Sequence, residues 1–280
     1  MIELAGITVD YGSAHAALDD VSLTFADQRL TVLLGPSGAG KSSLLRILNG
    51  LVKPRAGRVL VDGEEPAEGP KLKAHRRRTA MVFQQHHLLP RSTALDNVLV
   101  GRLAHLSRWH AVVPVPRRER LLALAALDRV GLADKALYRA DRLSGGEQQR
   151  VGIARALVQE PRILLADEPV ASLDPATASY IMGLIARIAR EDGLTTIVSL
   201  HQVDLAVRHG DRVVGLNQGR VVYNGLPDGL DETDLARIYR GAAAIRDLVP
   251  VTNETRNEAA TEAGNLARAG VVLSSAAEKR

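Results

Sequence analysis

Eight consecutive residues, Gly35-Pro36-Ser37-Gly38-Ala39-Gly40-Lys41-Ser42, follow the apolar run Thr31-Val32-Leu33-Leu34 and open a helix-forming stretch at 42–48. They match G-x-x-x-x-G-K-[ST], and a buried strand before them with a helix after is the context in which that pattern cradles phosphate. Glycines let the backbone wrap an anion. Loop N–H groups and the helix start supply partial positive charge, and Lys41 adds a full one. Ser42 is then placed to coordinate the Mg²⁺ that accompanies a nucleotide, with Ser43 beside it against the same phosphates. A second apolar strand, Ile163-Leu164-Leu165-Ala166, ends in Asp167 and Glu168. Open α/β sheets bind ligands at such carboxyl ends. Asp167 is expected in the Mg²⁺ shell and Glu168 as the general base on an attacking water.

A third element, Leu143-Ser144-Gly145-Gly146-Glu147-Gln148-Gln149-Arg150, opens a helix that runs on to Val158. Ser144 suits the N-cap, two glycines allow close approach, and Glu147 three residues on completes a capping box. Such a helix start is either simply well capped or a second anion site.

The surrounding pattern is α/β. Strand signals run to about residue 90, at 31–34, 58–63 and 79–83. Helical periodicity then takes over around 93–106, 117–130 and 146–158, and strands return at 163–166 and 195–199 on either side of a helix at 176–190. That βαβ rhythm implies a parallel sheet. Val213 to Leu216 and Arg220 to Tyr223 flank an Asn-Gln-Gly turn and suggest a closing hairpin. Residues 246–280 shift to Ala, Glu, Thr and Asn without periodicity, which is the composition of a disordered tail.

Composition narrows the chemistry further. The 280 residues carry 36 Lys plus Arg against 32 Asp plus Glu, a net charge of +4 that does not point to nucleic acid. With no cysteine, disulfides, zinc–thiolate sites, iron–sulfur clusters and a thiol nucleophile are all excluded. The first residues lack a secretory pattern, and no window approaches the ~20 apolar residues of a membrane span. Leu121-Leu122-Ala123-Leu124-Ala125-Ala126-Leu127, among the longest apolar runs, reads as a face of a buried helix. His75-Arg76-Arg77-Arg78 reads as an exposed basic helix end.

The phosphate loop, the LSGGEQQR stretch, the ILLADE strand and a later histidine stand in the order seen in ATP-binding cassette ATPases, and the chain resembles that family over about residues 1–240. The resemblance implies a P-loop α/β core with a mainly parallel sheet, N-terminal antiparallel strands and an inserted helical subdomain at about 91–160 within a domain of 1–245. It implies ATP and Mg²⁺ as ligands. Tyr11 corresponds to the aromatic that stacks on adenine, and Gln84 (Gln85 adjoins it) to the glutamine that joins core to helical insert and meets Mg²⁺ and water. Asp174, in Ser172-Leu173-Asp174, corresponds to the loop that crosses a dimer interface. His201 corresponds to the switch histidine that meets the γ-phosphate. Ser144, Gly145 and Gly146 correspond to the segment that closes on a second copy's nucleotide.

A finer resemblance, to the ATPase subunits of phosphonate importers (the PhnC family), rests on three runs. They are Ser199-Leu200-His201-Gln202-Val203-Asp204, the segment from Ala166 to Pro175, and Asn97-Val98-Leu99-Val100-Gly101-Arg102-Leu103; Ser107-Arg108-Trp109-His110 also matches that family's extended segment. It implies a homodimer on the cytoplasmic face of the inner membrane, two permease subunits, and indirectly a solute-binding protein. Asn97 and Leu99 are expected to meet the permease. The ATPase of a phosphate or polar amino acid importer, or of lipoprotein release, remains an alternative. A single phosphate loop argues against the two-cassette ribosomal proteins, and the short insert against the coiled-coil DNA-repair ATPases.

Overall fold

The computed structural model describes residues 1–12, 16–84, 87–105 and 115–240. The expected strand runs form as β3 (Leu30–Leu34), β4 (Ala56–Val61), β5 (Thr79–Val82), β6 (Ile163–Asp167) and β7 (Thr195–Ser199). Ahead of them lie β1 (Ile2–Val9) and β2 (Leu18–Phe25); β8 (Arg212–Asn217) and β9 (Arg220–Gly225) form the expected antiparallel hairpin. The helices are α1 (Lys41–Leu48), α2 (Gly69–Arg78), α3 (Ala94–Leu99), α4 (Arg117–Arg129), α5 (Gly145–Leu157), α6 (Pro175–Glu191), α7 (Val203–His209) and α8 (Glu232–Ile238).

Two sheets organise the chain. A three-stranded antiparallel sheet has the order β2-β1-β4, and a six-stranded sheet has the order β5-β6-β7-β3-β8-β9, parallel except for β9. Every residue of β3, β6 and β7 is buried, as expected of parallel strands covered on both faces. Leu44, Leu45 and Leu48 of α1 share one apolar cluster with Ile7, Leu18 and Phe25 of the small sheet and Leu33, Leu165 and Ile197 of the large one. α1 is thereby held from both sides, and Leu44→Ala would cost about 2–5 kcal/mol. The order β6-β7-β3 lays three carboxyl ends side by side, and the candidate chemistry sits on them.

α3, α4 and α5 pack on one another. Arg102, buried just beyond α3, donates to Glu119 of α4 at 2.6 Å, to Glu160 at 2.8 Å and to the Val158 carbonyl at 2.9 Å, tying the three helices together. Gly101 has no room for a side chain, since a Cβ would lie 2.3 Å from the Arg155 carbonyl oxygen. Among the described residues no helix is long and apolar enough to cross a membrane.

Three expectations need correction. The run from Leu121 to Leu127 is amphipathic, with Ala123, Ala126 and Leu127 buried but Leu121 and Leu124 exposed. His75 is buried, not part of a solvated basic face: its Nε2 lies 2.7 Å from the Leu48 carbonyl at the end of α1, and burial pushes its pKa below the ordinary value. Asn97 and Leu99 are buried as well, so neither presents a surface to a partner. Gln85, the segment 107–110 and the tail 246–280 lie outside the described residues.

Candidate active site

β3 ends at Leu34, and the loop that follows must turn sharply to start α1. Gly35 (φ 152°) and Gly40 (φ 104°) make this turn in close quarters: a Cβ would meet the Leu216 carbonyl oxygen at 2.3 Å in the first case and the Ala17 carbonyl oxygen at 2.5 Å in the second. α1 then begins with Gly40 at its N-cap and no side-chain cap, which leaves its first amides to a bound anion. Lys41 is only 4% exposed. Its ammonium donates to the carbonyls of Gly35 (2.6 Å) and Pro36 (3.1 Å) and lies 3.9 Å from Glu168 Oε1. Burial pushes its pKa down, and the carboxylates of Glu168 and Asp167 pull against that.

The carboxylates stand at the end of β6. Asp167 Oδ1 accepts from the Ser42 hydroxyl at 2.9 Å and from the Ser199 hydroxyl at 2.8 Å. Ser199 is the last residue of β7 and is in parallel register with Asp167. Its oxygen in turn accepts the Glu168 backbone N–H at 2.9 Å. Glu168 holds φ at 46°, a left-handed conformation that costs a residue with a Cβ about 1–2 kcal/mol. That backbone turn aims its side chain at His201, whose Nε2 lies 2.6 Å from Oε1. The half-exposed imidazole is thus joined to a carboxylate that is itself mostly buried.

Ser144 caps α5, accepting from the Glu147 N–H at 3.3 Å while the Glu147 carboxylate accepts the Ser144 N–H at 2.9 Å. Lys135 pairs with Glu147 and is the main reason its carboxyl is held below the ordinary range, ahead of the Ser144 amide. Asp174 caps α6 by accepting the Thr177 N–H at 3.0 Å; the Thr177 hydroxyl first, and then this N–H, hold its carboxyl below the ordinary range. Gly146 approaches Thr177 so closely that a Cβ would lie 2.8 Å from its methyl group. A cavity of about 550 Å³ opens here, lined by Ser144, Gly145, Gly146, Ser172, Asp174 and Tyr180 among others.

The expected residues therefore fall into two groups. Lys41, Ser42, Asp167, Glu168 and His201 meet at the strand ends with the loop from Gly35 through Pro36, Ser37, Gly38 and Ala39 to Gly40. Ser144, Gly145, Gly146 and Asp174 gather around the other cavity, whose lining includes none of that loop. Tyr11 is 53% exposed beside the small sheet, available to stack on a flat ligand. Gln84 is exposed just past β5, and Ser43 is half-buried in the first turn of α1. Sequence reasoning overlooked Ser199. The available signal was a hydroxyl ending a buried strand, two residues before the histidine.

A protein-family model described as ABC transporter matches residues 18–171. The chain is 52% identical over 246 residues to a phosphonates import ATP-binding protein (PhnC 3) of Nostoc sp., covering 88% of this chain and 94% of that one. It is 54% identical over 240 residues to a phosphite import ATP-binding protein (PxtA) of Stutzerimonas stutzeri, covering 86% of this chain and 87% of the relative. Among solved structures, the ATP-binding cassette MJ0796, a dimer in a post-hydrolysis state bound to ADP and Pi, is similar with a TM-score of 0.72 at 36% identity over 82% of this chain and all of that one.

Proposed function

Since this chain belongs to the ABC transporter family of ATP-binding proteins, we propose that it powers the import of phosphonates by hydrolysing ATP. The observation that carries the mechanism is the joined set Ser42–Asp167–Ser199–Glu168–His201 next to a buried lysine. The β- and γ-phosphates would lie in the loop from Gly35 to Ser43, against Lys41 and the uncapped start of α1, with adenine on Tyr11. Glu168 takes a proton from water as the water oxygen attacks the γ-phosphorus, and the bond to the ADP oxygen breaks, releasing inorganic phosphate. His201 holds Glu168 in line. Among the described residues no cluster of three or more His, Asp or Glu side chains forms a metal cage. The oxygens of Ser42 and Asp167, with the Gln84 amide, suit Mg²⁺ shared with phosphate oxygens. When bound, that ion neutralises charge building on the phosphates.

The separation of Ser144–Gly146–Asp174 from the phosphate loop supports a homodimer in which each nucleotide is covered by the second copy. Two permease subunits would receive the motion through the helical subdomain at the cytoplasmic face of the membrane, fed by a solute-binding protein. The same similarity keeps phosphite import as a second reading, because a phosphite relative is as close as the phosphonate one.

The test is Glu168→Gln, which keeps shape but cannot accept a proton. Turnover should fall by about 10²–10⁴-fold with ATP affinity kept, and size-exclusion chromatography in MgATP should show a dimer. Retained hydrolysis overturns Glu168 as base. Reconstitution with the permease and competition among labelled methylphosphonate, phosphite and phosphate identifies the solute.

A further inference from the structure

Tyr239 follows α8 and is only 4% exposed, in a chain whose other described tyrosines include three that are more than half exposed. Its hydroxyl donates to the backbone carbonyl of His201 at 3.2 Å, and the backbone of Gly35 is near enough to interact with the same oxygen. One phenol therefore bonds the residue whose imidazole meets Glu168 and stands beside the first residue of the phosphate loop. Burial raises its pKa to about 12, so the group stays protonated and a donor across the physiological range.

The helix that carries it is fixed on one side. Asn217, at the end of β8, donates to the carbonyls of Arg237 (2.9 Å) and Arg240 (3.1 Å). Ile238 packs so closely on Gly215 of β8 that a Cβ there would lie 2.5 Å from its side chain. Gly35 presses on the next β8 residue, Leu216. α8, β8 and Gly35 thus form one block. On the histidine side, the Leu200 N–H is tied to the Leu33 carbonyl at 3.0 Å, but the described hydrogen bond that holds the His201 carbonyl comes from Tyr239.

We infer that Tyr239 is a positioning residue, a strut that sets the backbone of His201 against the phosphate loop and so aims its imidazole at Glu168 and the γ-phosphate. This rests on the catalytic reading of His201 given above. The strut meets the loop at Gly35, its first residue, while the Lys41 ammonium is also held by the Pro36 carbonyl and the start of α1 is anchored elsewhere, so its loss falls on the chemical step far more than on nucleotide binding.

The experiment uses the full chain with Tyr239→Phe, which keeps the buried ring and removes one hydroxyl. Turnover should fall about fivefold, the value of one lost neutral hydrogen bond. The KM for ATP and the affinity for a fluorescent ATP analogue should stay within about twofold, the analogue doubling as a check that the chain is folded. On the residual single-turnover rate of His201→Ala, adding Tyr239→Phe should cause no further loss, because both act through one group. Unchanged turnover in Tyr239→Phe, with His201→Ala slow, overturns the strut alone. A loss that repeats in full on the His201→Ala background, or that weakens ATP binding equally, marks general loosening and overturns it too. If His201→Ala itself turns over normally, the catalytic reading fails and the strut with it.

Discussion

The ends of β3, β6 and β7 and the starts of α5 and α6 both present glycines, hydroxyls and helix N-termini, yet they are built in opposite ways. At the strand ends the helix start is left uncapped, a lysine is buried, a glutamate is held in left-handed backbone, and five residues are linked in series, one link running through the Glu168 backbone N–H. At the helix starts each N-terminus is closed by its own side chain, Ser144 with Glu147 in one case and Asp174 in the other. The first arrangement keeps donors open and stores strain, as a site that grips and reacts must do. The second satisfies its own end and sets Gly145 and Gly146 beside an open cavity, where the proposed reading puts another molecule's phosphate. On the proposed reading, the half that grips and the half that approaches belong to one site only when two copies meet.

The sharpest break of that comparison is a mixing experiment. Lys41→Ala removes the charge aimed at the phosphates, and Ser144→Arg blocks the approaching surface; each alone should bring phosphate release to background. Mixed together, the two chains form dimers in which one composite site carries both faults and the other carries neither. Phosphate release should therefore return on mixing. No recovery at any ratio means that Ser144 does not serve a partner's nucleotide.

Next in size is Asn97→Asp. Asn97 is wholly buried; its amide donates to the carbonyls of Leu89 (3.1 Å) and Thr93 (2.9 Å) and accepts the Leu89 N–H at 2.7 Å. It clamps the chain at Leu89 onto the start of α3. A carboxylate there keeps the Leu89 N–H but loses both donations and sets a buried charge against two carbonyl oxygens, at a cost of about 3 kcal/mol or more. Thermal melting should show a drop of several degrees at neutral pH. An unshifted melting temperature would mean the clamp is not formed in solution.

Ser199→Ala tests the gripping side more gently. It removes the second hydroxyl from Asp167 and strands the Glu168 N–H, a loss of about 1–3 kcal/mol. Because that N–H helps hold the left-handed turn, turnover should drop about tenfold with ATP affinity little changed. Ser199→Thr, which restores a hydroxyl, should recover much of it. Equal activity in the alanine and wild-type chains removes Ser199 from the site.

How much of this was legible in the sequence follows from how local each signal is. The phosphate loop, the Asp167-Glu168 pair and the Ser144 capping box are short contiguous strings whose chemistry needs neighbours at fixed offsets, and each sits where it was expected. Ser199 and Tyr239 act through partners 32 and 38 residues away: the βαβ rhythm gives the β6–β7 pairing but not the register that sets Ser199 opposite Asp167, and nothing local to Tyr239 shows that the end of α8 returns to His201. Asn97 and His75 were misjudged for another reason. A polar residue on a short helix reads as solvent-facing, and only the backbone carbonyls that receive them, Leu89, Thr93 and Leu48, reveal them as buried clamps.

The smallest effect on the isolated chain should come from the surface that replaces Asn97 and Leu99 as the partner-facing candidate. Leu103 is 62% exposed and Leu89 53%, at the two ends of the segment that Asn97 and α3 hold together. Exposed leucines contribute little to folding, so Leu103→Asp and Leu89→Asp should leave the melting temperature and ATP turnover of the free chain within about the ordinary range for surface changes, ±0.5 kcal/mol. A buried carboxylate against an apolar partner surface, by contrast, carries a full desolvation cost. In vesicles reconstituted with the permease, the same variants should lose uptake and cofractionation with the membrane while the free chain hydrolyses normally. Uptake at the wild-type level in both aspartate variants would move the contact elsewhere on the helical subdomain, and the exposed Leu121 and Leu124 face of α4 is the next to test in the same assay.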